Sequence, residues 1–429
     1  MKYLFLLVLS FLFCCQIFAQ NDSAVYSKFT SLQNRTNFYN NLINKSITKN
    51  LSYPLNFDTE DKWQNAFSAI ELVNYQQNWI NKKLQLAADS IEFRTPAFQQ
   101  SFIEMLYAGN RKGFFKQINK LISSTGNTKI FTMGVNYLLL CDTTLKTRIY
   151  LQTSTKAKKL QSPASADSII LSALNQQLKQ LNNKSKFSTK SAVENLFKKE
   201  YLYGNVVLYS IQNKNRNYPG IVIVKDTSGN YIKDSSGALF YTSQLARSLS
   251  NMPYYISNGN TPQGIYRLSG FGKSNSSFIG PTQNLQLTMP FEKPVQHFLK
   301  DSTIIDTVWS KALYAGLLPK TLKNYEPLYQ SFIAGAAGRT EIIAHGTAVD
   351  PSFYTGKTYY PYTPTAGCLC TREFWNDAGK RSTSDQQLLI NAVKKAGGAN
   401  GYLIVIELND EQKNISVEDI LPYLPLLIK

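Results

Sequence analysis

The spacing of apolar residues changes near residue 200, and this change requires a fold with two differently built parts. Before that point apolar residues recur at intervals of three and four, the period of an amphipathic α-helix. After it they form short runs separated by glycine-containing turns, which is typical of β-strands. A chain of 429 residues is also too long for one ordinary core. We therefore predict an α+β protein with an all-α domain over residues 20–200, either a bundle or a short solenoid, and a β-rich domain over residues 201–429.

One helix of the first half has signals at both of its ends. Thr95 suits an N-cap, Pro96 the first helical position and Gly109 the left-handed position after the last turn. Other helical faces are marked by four sets of apolar residues: Trp63, Phe67 and Ile70; Phe114, Ile118, Leu121 and Ile122; Ile130, Phe131, Val135 and Leu138; and Leu171, Leu174, Leu178 and Leu181. We expect this domain to be a spacer or a docking surface for another envelope protein.

The second half predicts strands and at least one helix. Strands are expected over residues 206–211, 221–224 and 402–406, and a helix over residues 386–395. Turns are expected at Thr227–Asn230 and Asp234–Gly237.

Residues 1–19 have the pattern of a secretory signal peptide. Lys2 is followed by an apolar run from Leu4 to Cys15, and a small residue, Ala19, precedes the expected cleavage point. Lipid attachment at Cys14 is disfavoured because Phe13 stands where a small side chain is needed. The run is short for a membrane span, and no later stretch approaches that length. The expected location is the periplasm or cell envelope, without a transmembrane segment.

The chain is strongly basic. It has 46 Lys and Arg against 28 Asp and Glu, a formal net charge of +18, which favours polyanionic partners. Nucleic acid is excluded as the partner, because no basic motif interleaved with aromatic residues is found and the chain is predicted to be exported.

The cysteine count predicts a free thiol. Loss of the signal peptide leaves Cys141, Cys368 and Cys370, so at least one thiol has no partner within the chain. Cys141 ends an apolar run and is expected to be buried. Cys368 and Cys370 are spaced for a strained disulfide at best, and simple packing of Cys370 under its loop is favoured. No metal site is expected, because His345, Cys368 and Cys370 lack a clear fourth ligand, and no cofactor is expected.

Two histidines compete for the role of a base. His297 lies in an ordinary amphipathic segment and is interpreted as structural, whereas His345 follows the strand-like residues 341–344 and stands where a loop begins. Small residues before Cys368, including Gly367, allow the backbone to approach a substrate carbonyl and its amides to stabilise an oxyanion. A Cys368–His345 pair would suit acyl transfer.

These residues resemble the catalytic domain of the L,D-transpeptidase family. His345-Gly346-Thr347 and Thr365-Ala366-Gly367-Cys368 are similar to the two halves of its active-site signature. Gly259-Asn260-Thr261-Pro262-Gln263-Gly264-Ile265-Tyr266 is similar to an earlier element of the family, and the resemblance extends over about residues 205–408.

The resemblance implies a secreted acyltransferase that acts on peptidoglycan stem peptides. Cys368 would attack the carbonyl of the third stem residue, forming a thioester, with His345 as general base and Gly367 shaping the oxyanion site. An acceptor amine would then form a cross-link between the third residues of two stems, and water would give carboxypeptidase activity. The residues expected to contact substrate are Gly346, Thr347, Tyr362, Thr365, Ala366 and Arg372.

The signature also departs from the family pattern. Ala366 stands where the family has histidine, and Cys370 stands where arginine or asparagine is usual, with Arg372 two residues further on. The interval between His345 and Cys368 is longer than usual and rich in tyrosine. The alternative function is therefore a non-catalytic peptidoglycan-binding or scaffold protein with a drifted site.

Overall fold

The structure is a computed structural model that describes residues 25–159, 165–182, 189–305 and 308–425. The signal peptide predicted for residues 1–19 lies outside these ranges.

The first half is helical, as predicted. Its α-helices are α1 (Leu32–Asn41), α2 (Asn50–Ser52), α3 (Glu60–Leu72), α4 (Ile80–Asp89), α5 (Pro96–Ala108), α6 (Phe115–Ser124), α7 (Thr128–Cys141), α8 (Lys146–Lys159), α9 (Ala166–Asn182) and α10 (Thr189–Leu196). A π-helical segment, Leu42–Lys49, joins α1 to α2. Short 3-10 helices along the chain are Lys28–Thr30, Phe57–Thr59, Ile91–Phe93, Lys112–Phe114, Thr143–Leu145, Lys320–Leu322, Glu326–Tyr329, Pro351–Tyr354 and Leu421–Tyr423.

Helix α5 begins as predicted and ends one residue later than predicted. The Thr95 hydroxyl accepts a hydrogen bond from the Phe98 N–H at 3.4 Å, and Pro96 is the first helical residue. Gly109 is the C-cap, with φ of −81°, and the left-handed position belongs to Asn110, with φ of 52°. The prediction for Gly109 was wrong because asparagine also tolerates this conformation. The N–H of Asn110 bonds to Tyr107 O at 3.1 Å, which closes the last turn.

One apolar core holds α3 to α9 together. The rings of Phe67 and Phe98 pack edge to face with centroids 5.2 Å apart, and Phe67 and Phe102 are 5.3 Å apart. The predicted apolar faces lie in this core with one exception, Leu181, which is 46% exposed. Leu181 lies in the last turn of α9. The apolar spacing of the sequence continues to this turn, but the turn extends beyond the helices that form the core.

The second half is built around a mixed sheet of eight strands. The strands of the chain are β1 (Val206–Gln212), β2 (Gly220–Lys225), β3 (Tyr241–Gln244), β4 (Gly264–Gly272), β5 (Asn284–Thr288), β6 (Ile343–His345), β7 (Leu369–Cys370), β8 (Glu373–Trp375), β9 (Arg381–Ser384) and β10 (Gly401–Glu407). The order in the large sheet is β3-β2-β1-β10-β4-β5-β6-β7, with β8 and β9 forming a separate pair. Pairing is parallel between β1 and β10 and between β6 and β7, and antiparallel elsewhere.

The two edges of this sheet meet. Leu245, directly after β3, exchanges backbone hydrogen bonds of 2.8 and 2.9 Å with Cys370 in β7. A further bridge joins Ser248 to Thr365. The sheet is therefore nearly closed, and we call this junction of β3, β6 and β7 the seam.

Each face of the sheet has its own core. Helix α14 (Asp385–Lys395) packs on one face, with Ala344 and Leu369 in the same cluster. The other face is covered by α10, α11 (Val295–Leu299), α12 (Lys311–Ala315) and the C-terminal segment, while α13 (Gln330–Ala336) lies beside β4. Thus α10, although it precedes residue 200, contributes its apolar residues to the core of the sheet.

The helical half packs against loops of the sheet half. Met252, Tyr255 and Ile256 belong to the apolar core of the helices, and the Tyr354 hydroxyl donates to Leu72 O at 2.8 Å. These contacts place the end of α3 against the loop that leads away from His345. Within the described ranges, no helix has both the length and the apolar character needed to cross a membrane.

Candidate active site

The register of β6 and β7 places the predicted base opposite Cys370 and two residues from the predicted nucleophile. Ala344 is paired with Leu369, and His345 is paired with Cys370. Successive side chains on a strand point to opposite faces, and Ala344 and Leu369 point into the core beneath α14. His345 and Cys370 therefore share the opposite face, and Cys368, which directly precedes β7, lies two residues before the partner of His345.

Gly367 forms a turn that only glycine fits. Its φ is +116°, and a Cβ at this position would lie 2.4 Å from Nη2 of Arg339 and 2.7 Å from Gly259 O. The Thr365 hydroxyl donates to Cys368 O at 2.9 Å and accepts from the Gly367 N–H at 3.1 Å. The Gly367 N–H is thus already bonded, so its expected oxyanion role would pass to the Cys368 amide.

Thr261 fixes the same turn from a distant segment. Its hydroxyl donates to Gly367 O at 2.9 Å. Thr261 belongs to the segment that resembles the earlier family element, so the sequence carried a signal for its importance. The structure explains why this segment matters, because the Thr261 side chain fixes the position of Gly367, the residue before Cys368.

The Cys368 thiol is half-buried and held by backbone groups. The Ile343 N–H donates to Sγ at 3.5 Å, and the thiol donates to Glu341 O at 3.6 Å. Burial raises the pKa of Cys368, while the Ile343 N–H and the Arg339 charge partly oppose this change. The thiol is therefore protonated at neutral pH until a base removes its proton.

His345 is buried and neutral at physiological pH. Burial lowers its pKa to about 4. Nδ1 makes a short hydrogen bond to Gly346 O. Because a carbonyl oxygen only accepts, Nδ1 carries the proton and Nε2 presents its lone pair. This is the tautomer required of a general base.

The two groups do not bond to each other in the resting structure. In the part of the chain that the structure describes, the hydrogen bonds of Cys368 Sγ are those to Ile343 and Glu341, and none reaches His345. Catalytic hydrogen bonds are often made only when substrate is bound. The arrangement can thus support proton transfer after the thiol rotates toward a substrate carbonyl.

Arg339 supplies a positive charge behind the nucleophile. Its guanidinium donates to the carbonyls of Gly259 and Asn260, both at 3.0 Å, and to Tyr254 O. Burial lowers its pKa to about 10, so it stays charged at neutral pH. Arg339 could not be identified from the sequence, because nothing in its local pattern distinguishes it from a surface arginine.

Gly346 is required by close packing. A Cβ at this position would lie 2.1 Å from Oε2 of Glu373. The other oxygen of Glu373 accepts from Thr282 at 2.6 Å and from Ser384 at 2.5 Å, and burial raises the pKa of this carboxyl. Gly346 therefore allows the chain after His345 to lie against a fixed side chain.

Thr347 and Cys370 are buried beside the same strands. The Thr363 hydroxyl donates to Thr347 Oγ1 at 2.8 Å and lies 3.7 Å from Cys370 Sγ. Burial raises the pKa of Cys370 to about 12, which makes this thiol unreactive. Cys141, Cys368 and Cys370 are all free thiols. Packing of Cys370, and not a disulfide with Cys368, is what the structure shows.

The other residues predicted to contact substrate differ in how accessible their side chains are. Ala366 is exposed beside Cys368. Arg372 forms an ion pair with Asp385 at 3.2 Å and lies 5.4 Å from the ring of Phe374. Tyr362 is buried in a small cluster with other tyrosines of its loop. Ala366 is thus accessible to a ligand, Arg372 is partly exposed and held by its ion pair, and Tyr362 is buried.

Two further candidates lie away from the site. His297 is exposed on the short helix α11. Cys141 is half-buried, where full burial was expected, because it is the last residue of α7; its thiol donates to Lys112 O at 3.7 Å. Residues 25–159, 165–182, 189–305 and 308–425 contain no group of three or more His, Cys, Asp or Glu that could hold a metal ion.

Comparison with known proteins gives no independent assignment. No family model, no curated protein and no solved structure matches this chain. The site geometry and the resemblance of its short motifs are therefore the only support for a function.

Proposed function

We propose that the protein is an exported cysteine acyltransferase that acts on peptidoglycan stem peptides in the periplasm or cell envelope. The observation that carries this proposal is the parallel pairing of β6 and β7, which places Cys368 two residues before the partner of a neutral His345 of fixed tautomer. The net charge of +18 suits a matrix rich in carboxylates.

The proton balance of the proposed reaction depends on His345, although the raised pKa of Cys368 and the lowered pKa of His345 both oppose the first proton transfer until the substrate is bound. As Sγ of Cys368 attacks the stem carbonyl, Nε2 of His345 takes the thiol proton and passes it to the departing amine of the terminal residue. A thioester and a free D-amino acid result. The acceptor amine then attacks the thioester and loses its proton to His345, and the thiol is restored.

The oxyanion formed in each step needs a donor. The Cys368 amide lies at the turn, and the Arg339 guanidinium lies directly behind Gly367. A fixed cation in a water-poor site stabilises developing negative charge more strongly than it would in water.

A binding function without catalysis is the second candidate. It is favoured by the resting position of the Cys368 thiol, which bonds to Ile343 and Glu341 and has a raised pKa. If a bound substrate does not reorient this thiol, the thiol cannot attack the stem carbonyl and no thioester forms.

Intact-mass measurement with a disaccharide-tetrapeptide separates the two functions. We expect wild-type protein to gain the mass of the donor less its terminal residue. Cys368→Ala should give no adduct and lose at least about 10³-fold in activity, whereas Cys141→Ala, which removes a distant half-buried thiol, should react like wild type. Wall binding with no adduct in the wild-type protein would reject catalysis in favour of the binding function.

A further inference from the structure

A groove lies between the first helix and two loops of the sheet half. One wall is formed by α1 and the 3-10 turn before it, and the other by residues 277–278 and 348–353. The cavity has a volume of about 490 Å³, enough for one or more sugar-sized groups.

Four aromatic rings line this groove, and three of them are exposed. Phe29 is 44% exposed, Phe38 is 38% exposed and Phe278 is 42% exposed. Phe38 and Phe278 face each other from opposite walls, edge to face, with centroids 5.9 Å apart. Exposed rings grouped in a concave site mark a binding surface, because each offers a flat apolar face to a ligand.

Amide side chains accompany the rings. Asn34, Asn37 and Asn41 lie three and four residues apart along α1, so they occupy one side of that helix, and all three line the groove. Asn37 Oδ1 accepts from Gln33 at 3.0 Å, and the Asn37 side chain is exposed, so its NH₂ group is accessible to a ligand. Amides both donate and accept, as hydroxyl and acetamido groups do.

One of the two cations at the groove is paired with carboxylates, and the other, Lys28, lies with its Nζ 5.3 Å from the centre of the Phe29 ring. Arg35 lies 3.3 Å from Asp377 and 3.8 Å from Asp350. A lining of rings and amides, with Arg35 paired, suits a polar ligand with apolar C–H faces, which describes a saccharide better than an apolar peptide.

The groove is connected to the candidate active site. Ala348, Val349 and Asp350 line it and follow directly after Thr347. The Ala348 N–H donates to Phe278 O at 2.9 Å, which ties the two loops of this wall together. A ligand in the groove would therefore lie along the chain that leaves His345.

We propose that this groove binds N-acetylated sugar units of the same polymer whose stem peptide reaches Cys368. This inference rests on the proposed function for its substrate, and it assigns to the helical half a role in holding the glycan beside the seam.

Calorimetric titration with a peptide-free N-acetylglucosamine oligosaccharide tests the groove directly. We expect binding to wild type and to Cys368→Ala, and affinity about tenfold weaker in Phe38→Ala, Phe278→Ala and Asn37→Ala. Phe93→Ala is the control, because Phe93 is 83% exposed and lies outside the groove. No saccharide binding, or equal loss in Phe93→Ala, would overturn the inference.

Turnover of two donors separates this inference from the proposed function. Phe38→Ala should raise KM about tenfold for a disaccharide-tetrapeptide and leave KM for the free tetrapeptide unchanged. Equal loss with both donors would overturn the groove assignment while acyl transfer stands. Saccharide binding without turnover of either donor by wild type would support the groove and reject the acyltransferase.

Discussion

The helical core and the seam are held together by different forces. The helical core consists of apolar rings such as Trp63, Phe67 and Phe98, whose contacts are numerous and individually weak. At the seam, single hydrogen bonds from distant segments fix the chain, as Thr261 does for Gly367. Stability therefore depends mainly on the first region, and the geometry of the candidate site depends on the second.

The two regions meet at the end of α3. Glu71 in that helix lies near Glu104 and the buried Arg247, which follows β3. The guanidinium of Arg247 lies 4.7 Å from the ring centroid of Tyr359. Substitutions in each region, and at this contact, test whether stability and site geometry can be changed separately.

The largest expected effect is on stability, in the helical core. Phe67→Ala removes a fully buried ring and should lower the free energy of unfolding by about 3–5 kcal/mol, because a cavity remains. Urea unfolding measures this loss, and thioester formation per folded molecule should stay near wild type. Phe57→Ala, at a 77% exposed position, should change stability by under about 0.5 kcal/mol. A folded Phe67→Ala protein with an altered site would show that the regions are not separable.

A smaller effect, on chemistry, is expected at the seam. Arg339→Met removes the cation near Cys368, so the thiol pKa should rise further and acylation should slow about tenfold. The pH dependence of Cys368 alkylation gives the thiol pKa directly. Arg339→Lys keeps the positive charge, so the pKa of Cys368 should lie between the values in wild type and in Arg339→Met. Identical alkylation midpoints in wild type and Arg339→Met would remove Arg339 from the electrostatics of the site.

The smallest effect concerns the contact between the regions. Burial, and then the charge of Glu104, raises the pKa of Glu71 to about 8 from 4.5. The folded protein thus holds a proton that the unfolded chain releases near its lower pKa, so stability should fall as pH rises between these two values. Glu71→Gln should remove this fall and make the protein more stable than wild type above about pH 8.

Urea unfolding at several pH values measures that difference. The exposed Glu194 provides the matched variant, Glu194→Gln, which should follow the wild-type curve. Parallel curves for wild type and Glu71→Gln would contradict a protonated Glu71 in the folded protein.

The fold class could be predicted from the spacing of apolar residues, because this spacing distinguishes helices from strands. The strand over residues 402–406 and the helix over residues 386–395 are present as β10 and α14 with limits shifted by a residue or two. Closure of the sheet through Leu245 and Cys370 could not be predicted, since strand pairing across a long sequence distance leaves no periodic trace. The helical prediction also missed that α10 packs on the sheet.

The candidate site was only partly accessible to sequence reasoning. Cys368 and His345 could be named because cysteine and histidine are rare in the chain and small residues surround them. Arg339 could not be named, because its role arises from three carbonyls brought together by the fold. The bond that occupies the Gly367 N–H was hidden for the same reason, since it depends on the orientation of Thr365.

Closure of the seam has a consequence for the order of folding. The bond from Thr261 to Gly367 spans 106 residues, whereas the helical core is assembled largely from neighbouring helices. Contacts of long sequence separation form late, because the chain between them must first be ordered. We therefore expect Cys368 to reach its final environment at the last stage of folding. The loss of alkylation at Cys368 and Cys370 during refolding would then measure the rate of the last folding step.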